Sequence, residues 1–274
     1  MSDMQKRLES IGAVYLARGA DDNALAKFKL FRQSYRRWPA GAEHRLHVIF
    51  KGFENGADLA VAREVFRDIA CSAIYLEDDA FDLGAYFAAA SRLDCKDVIF
   101  LNTASEICGH DWLLKLAVNL AQRDVGMVSC TASFEAPQHP GQRNLPFPNP
   151  HLRTTAFMLQ RERFLAMRPN GPLTDKLAGY MLEHGMNNFT RQIASQGLKA
   201  LLVGKNGRAY DRIWWPQSRT FRQGTQSNLL VADNQTKAYD RATQVQKRFL
   251  HELCWGHAGI RYPIYRPAAG AARS

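Results

Sequence analysis

Val98-Ile-Phe-Leu-Asn-Thr-Ala-Ser-Glu106, followed by Ile107-Cys-Gly-His-Asp111-Trp-Leu-Leu-Lys115, decides the fold. Four consecutive apolar residues, two of them β-branched, read as a strand buried on both faces, as in a parallel sheet covered by helices. The run stops at Asn102-Thr103, and after a short loop Trp112, Leu113, Leu116 and Leu120 recur at helical spacing. In open α/β sheets such a junction, at the carboxyl end of a central strand, is where ligands bind.

The same rhythm extends in both directions. Upstream, residues 13–17 predict a strand, and Leu25, Phe28, Phe31 and Tyr35 predict a helix capped by Asp21 or Asp22 and ended by Trp38-Pro39. Residues 44–50 predict a second strand, and Asp58 a cap for a helix burying Ala62, Val65, Phe66 and Ile69. Residues 72–76 predict a third strand, closed by Glu77-Asp78-Asp79, and Asp82 opens the next helix. Downstream, residues 125–130 predict a fifth strand. Strands alternating with helices of about 10–15 residues imply βαβ units and a mainly parallel sheet flanked by helices.

Five prolines in residues 135–150 break the rhythm and predict a long irregular loop crossing one face. Beyond it a strand is expected over 154–159, helices over 174–182 and 188–195, a strand over 198–203 and a final helix over 236–253. Residues 1–255 are expected to form one domain and 256–274 a partly disordered tail, clearest in Pro267–Ser274.

Composition bounds the function classes. The chain has 274 residues, enough for a full core, and no run of about 18 apolar residues that would cross a bilayer. Its first residues lack the apolar centre of a signal peptide. Cys71, Cys95, Cys108, Cys130 and Cys254 are odd in number and show no metal-ligand spacing, so reduced thiols and a cytoplasmic location are expected. The net charge of +10 points to an anionic partner: a phosphorylated ligand, or the inner face of a membrane touched peripherally. Basic residues cluster over Lys27–Arg37 and Arg208–Arg222, but no nucleic-acid module signature accompanies either cluster, so no nucleic-acid partner is expected.

The order of these elements resembles the GT-A fold of nucleotide-sugar-dependent glycosyltransferases, most closely the family 2 type. Five stretches carry the resemblance. Residues 98–106 with Asp111-Trp-Leu113 resemble the family's strand, acidic DxD loop and following helix, and Val125-Gly-Met-Val128 its next strand. Residues 154–164 resemble the segment that passes the donor sugar. Glu183-His-Gly followed by residues 188–197 resembles the acidic motif and helix that supply the catalytic base. Residues 215–236 resemble a signature of a bacterial glycosyltransferase subgroup. The resemblance covers about residues 13–236 and implies a sugar transfer, with inversion, from a nucleoside diphosphate to a glycan, lipid-linked or small acceptor, as in polysaccharide biosynthesis.

It implies site residues as well. Glu183 stands where the general base is expected, with His184 able to share the role. Arg18, Asp21 and Asp22 follow the first strand, where the family's nucleotide sits; the two acids also fit a helix cap. Lys51, Asp78 and Asp79 follow the second and third strands on the same side. Asn102, Thr103 and Ser105 occupy the DxD window, and Arg153, Thr154, Arg222 and Gln223 are the expected contacts to phosphate and donor. Trp214-Trp215 fit either stacking on a sugar or packing. The family's acidic pair holds a Mn or Mg ion on the diphosphate, whereas here the window holds an amide, hydroxyls and Ala104, so metal independence and no metal ligand are expected. The same missing acids fit a rival expectation, a degenerate relative that binds a sugar nucleotide or glycan without turnover.

Overall fold

A computed structural model of the chain describes residues 11–174 and 176–257. Its first half is the expected alternation: β1 (Ile11–Arg18), α1 (Ala24–Arg37), β2 (Arg45–Lys51), α2 (Gly56–Val65), β3 (Cys71–Tyr75), α3 (Asp82–Ala90) and β4 (Asp97–Leu101). A short β5 (Glu106–Ile107) leads to α4 (Trp112–Leu120) and β6 (Val125–Ser129). Then come β7 (Ala132–Ser133), the proline-rich loop, β8 (His151–Leu152) and β9 (Ala156–Gln160), which runs into α5 (Arg161–Ala166). Next are α6 (Lys176–His184), α7 (Phe189–Ser195), β10 (Lys199–Val203), β11 (Ala209–Tyr210) and a 3₁₀ turn over Arg212–Gln217. The described chain ends with β12 (Val231–Ala232), α8 (Asn234–Arg241) and α9 (Gln244–Trp255). The expected tail over Pro267–Ser274 lies outside the described residues.

The central sheet has eight strands in the order β11-β10-β6-β9-β4-β1-β2-β3. Pairings β1–β2, β1–β4, β2–β3 and β6–β10 are parallel. β9 breaks the pattern: it lies between β4 and β6 and runs antiparallel to both. Its register sets Ala156 beside Leu101, so the residues entering β9 arrive at the level where β4 ends.

The continuous apolar strands feed two cores, because successive side chains point to opposite faces. Val98 and Phe100 pack on one side with Val14, Leu16, Tyr86, Phe87 and Phe164. Ile99 and Leu101 pack on the other with Ala13, Tyr15, Phe28, Phe31 and Trp112. Both layers are aromatic: Tyr15 stacks on Phe31 with centroids 3.7 Å apart, and Phe87 on Phe164 at 4.1 Å. Tyr15 also donates its hydroxyl to the Thr103 carbonyl at 2.8 Å, anchoring the loop after β4 to the neighbouring strand.

Several expected caps sit elsewhere. α1 is preceded by Asn23 in the left-handed region, with no side-chain cap, while Asp21 pairs with Arg18 at 3.1 Å and with Lys27 at 3.6 Å. A cationic partner holds the Asp21 side chain away from the helix end. α2 is capped by Asn55, whose side chain accepts from the Asp58 amide, and Asp58 lies in the first turn, where its charge favours the helix dipole. Asn55→Ala is therefore expected to cost about 1 kcal/mol in urea unfolding; an unchanged midpoint would contradict the capping role. Asp82 is the first residue of α3, as expected, and Phe81 holds the cap position. The expected final helix is two helices, because Thr243 turns the chain and starts α9 with a capping box of its own.

The Arg- and Gln-rich stretch that follows the 3₁₀ turn forms a self-bonded knot. Arg219, Arg222 and Gln226 all have positive φ, which non-glycine residues hold only when their surroundings impose it. Gln226 Oε1 accepts from the Arg222 amide at 2.9 Å, and Gln226 Nε2 donates to the Thr236 carbonyl at 2.9 Å. His251 and Trp255 of α9 bond the Arg222 and Phe221 carbonyls at 2.9 and 2.8 Å. Side chains thus supply the partners that a regular element would give its backbone.

Candidate functional site

The carboxyl ends of β1 and β4, the entry to β9 and the near ends of α3, α6 and α8 enclose a cleft of about 320 Å³. Among its lining residues are Arg18, Asp21, Asn102, Thr103, Arg153, Thr154 and Glu183, brought from four separate stretches of chain. The antiparallel β9 makes this possible, since it delivers Arg153 and Thr154 to the edge where the parallel strands end.

Glu183, in the last turn of α6, is fixed by Thr154, whose amide donates to Oε2 at 2.7 Å and whose hydroxyl donates to the same oxygen. Burial works against its charge, but Arg153, His151 and the Thr154 bonds outweigh that, and its carboxyl is held below the usual range. Arg153 is buried and donates to Asp233 Oδ2 at 2.9 Å, with its guanidinium 4.1 Å from the Phe221 ring centroid. Asp233 is the N-cap of α8, so one carboxylate serves both a helix end and a buried arginine.

On the opposite wall Arg18 binds Asp78 through two nitrogens, at 3.0 and 2.7 Å, and Asp21 through the third. Despite partial burial, these bonds and one from Lys51 hold the Asp78 carboxyl below its ordinary value. The Lys51 side chain is fully buried, 2.9 Å from Asp78 and bonded to the Ala80 carbonyl. Lys51 and Asp78 therefore brace Arg18 from behind and do not line the cleft. Asp22 and Asp79 are exposed outside it.

Four further expected residues also stand back. Ser105 is buried and donates to Asn102 Oδ1 at 3.0 Å. Arg222 reaches Glu135 at 2.7 Å and Gln235 at 3.0 Å, and buried Gln223 donates to the Trp215 carbonyl at 2.8 Å within the knot. His184 is turned away, its Nε2 3.0 Å from Nε2 of His139. Trp215 is core, whereas Trp214 is exposed and absent from the cleft lining.

Sequence reasoning missed Lys27, Phe81, Asp82, Lys176, Tyr180, Asn234 and Gln235, all of which line the cleft. Asp82 is the most informative of these, because burial first and then Asp21 push its carboxyl above the ordinary range. Its position directly after the acidic end of β3 was the available signal. The cations Arg18, Lys27, Arg153 and Lys176 face the carboxyls Asp21, Asp82 and Glu183.

The loop after β4 does not suit a hard divalent cation. It presents Asn102, Thr103, Ala104 and Ser105, and Glu106 beyond them is paired with Lys237 at 2.8 Å. An amide and hydroxyls do not replace two carboxylates around Mg or Mn.

All five cysteines are free thiols, and no helix among the described residues is long and apolar enough to cross a membrane. No protein-family model matches the sequence, and no curated protein matches it. Solved structures are similar in fold. A mannosyltransferase from Pyrobaculum calidifontis, in complex with GDP-Man and Mn2+, superposes with a TM-score of 0.50 at 12% identity, over 77% of this chain and 60% of its own. The 4-diphosphocytidyl-2C-methyl-D-erythritol synthase of Anaerococcus prevotii gives 0.45 at 14% identity, over 66% and 84%. The galactosyltransferase LgtC, with donor and acceptor sugar analogues, gives 0.41 at 13% identity, over 73% and 67%. The chain thus spans about 60% of the mannosyltransferase's length, and what the two share is a GT-A-like, mainly parallel α/β sheet flanked by helices.

Proposed function

We propose that the chain is a nucleotide-sugar-dependent glycosyltransferase that inverts the donor's anomeric centre and delivers the sugar to a glycan, lipid-linked or small acceptor. The observation that carries this reading is the convergence of one oriented carboxylate, Glu183, with the cationic side chains of Arg18, Lys27, Arg153 and Lys176 on one cleft lining. In such a transfer the acceptor hydroxyl attacks the anomeric carbon, its proton passes to a carboxylate, and the nucleoside diphosphate departs. Thr154 occupies Oε2 of Glu183, which leaves Oε1 for that proton. Charge developing on the departing diphosphate is met by Arg153, with Arg18, Lys27 and Lys176 on the same lining. The ring of Tyr180 lines the cleft too, stacked on His139 and with the Lys176 ammonium 5.4 Å from its centroid.

Isothermal titration with UDP, GDP and dTDP tests the reading. At least one is expected to bind without added manganese, more weakly as salt rises. No binding to any of the three, with or without the ion, would overturn it.

A second reading is favoured by the same strand-end loop. With no acidic pair there, and with Asp21 already shared between Arg18 and Lys27, the cleft suits a protein that holds a sugar nucleotide without turning it over. Donor hydrolysis by the wild type that vanishes in Glu183→Gln would exclude it.

A further inference from the structure

Behind Glu183, on the side of α6 turned towards the proline-rich loop, three potential metal donors meet and a fourth lies next to one of them. His151 comes from β8, Glu183 and His184 from the last turn of α6, and His139 from the loop itself. One donor atom from each of His151, Glu183 and His184 lies within 4.8 Å of the other two. His139 Nε2 is 3.0 Å from His184 Nε2, and the two rings stack with centroids 5.3 Å apart. Two imidazole nitrogens face each other this closely either across a shared proton or around a cation.

The surroundings prepare these groups as ligands. The Asn149 carbonyl lies 2.8 Å from His151 Nδ1, which fixes that nitrogen as the N–H donor and leaves the lone pair on Nε2. Asn149 Nδ2 also donates to the His184 carbonyl at 2.7 Å, so one buried residue positions both histidines. Thr154 engages only Oε2 of Glu183.

We propose that His151, Glu183 and His184, with His139 as a fourth ligand, bind one zinc(II) ion behind the Glu183 wall of the cleft. Imidazole with a single carboxylate is a borderline donor set that suits zinc, and it differs in kind from the all-oxygen shell that Mg or Ca requires. Zinc–nitrogen bonds of about 2.1 Å place tetrahedral ligands roughly 3.3 Å apart, so the triad draws together when the ion enters. His139 lies between Pro137 and Pro140, and its coordination would fasten the proline-rich loop to α6. Ion binding and proton transfer are alternative uses of the same carboxylate, so the two states exclude each other.

The test uses the full chain stripped of metal with a chelator and titrated with ZnCl2 by calorimetry at neutral pH. One equivalent is expected to bind, with His151→Gln and His184→Gln each weakening it by at least about 100-fold and His110→Gln, at an exposed position, leaving it unchanged. Replacing zinc by cobalt(II) should give the d–d absorption of a four-coordinate site, altered in His139→Gln. Should a histidine variant fail to fold, the wild type decides: a crystal soaked in ZnCl2 should show an anomalous peak bonded to His151, Glu183 and His184. No zinc binding, binding that survives both histidine substitutions, stronger binding of MgCl2 than of ZnCl2, or a peak elsewhere would overturn the proposal. No arm uses a sugar nucleotide, so its failure leaves the transfer reading untouched.

Discussion

Glu183→Gln is expected to lower kcat for sugar transfer by about 10²–10⁴-fold while nucleoside diphosphate affinity stays within a few-fold. The amide can still accept the two bonds from Thr154, so the end of α6 keeps its place, but the side chain no longer takes a proton. The pH profile supplies a second readout. Although burial works against its charge, Arg153, His151 and Thr154 hold the Glu183 carboxyl below the ordinary range, so wild-type activity should persist down through the pH at which a typical glutamate protonates. Steady-state transfer assays across pH measure both effects. Full activity in the glutamine variant would remove Glu183 from the chemistry; an activity loss matched by lost nucleotide binding would make it a structural residue.

Asp233→Ala is expected to destabilise the protein by about 3–5 kcal/mol, because it strands the buried guanidinium of Arg153. Loss of the α8 cap contributes about 1 kcal/mol of that. Asp233→Asn separates the two causes, since asparagine caps a helix but does not neutralise Arg153. Urea unfolding measures the difference, and a cost below about 1 kcal/mol for Asp233→Ala would show that water reaches the pair. The pH dependence has a defined sign. Burial disfavours the Asp233 charge, but Arg153 and the Thr236 bonds more than offset it, leaving the folded carboxyl below its unfolded value. Its contribution is complete at neutral pH and is lost as pH falls through the folded value.

Much of the fold was legible because its strands are short apolar runs bounded by polar turns, and each alternates between two cores. Residues 98–101 announced a doubly buried strand, and β4 is one. The sequence carried no sign of the direction of β9, since periodicity does not distinguish parallel from antiparallel pairing. Helix starts were misplaced where an aspartate had a stronger partner: Asp21 is drawn to Arg18 and Lys27, and Asn55 precedes Asp58.

The cleft was legible only along the strand ends. Arg18, Asn102, Arg153 and Glu183 were nameable because each follows or precedes a recognisable element. Lys27, Lys176 and Tyr180 project from helices whose apolar pattern does not mark which polar face meets the cleft. Lys51 and Arg222 were read as ligand contacts because a cation in a loop looks free in one dimension; in three, one is bound to Asp78 and the other to Glu135.

The knot at residues 219–226 reaches beyond geometry. Its bonds join α9 to the segment that carries Trp215 into the core, so α9 is expected to detach only together with that segment. The α9 amides should then exchange with solvent deuterium only through openings that also release Phe221 and Trp255 from the core, at rates near those of the central strands. Slow exchange in α9, a helix that leaves Val245 and Phe249 in water, would mark the C-terminal region as part of the sheet's own cooperative unit.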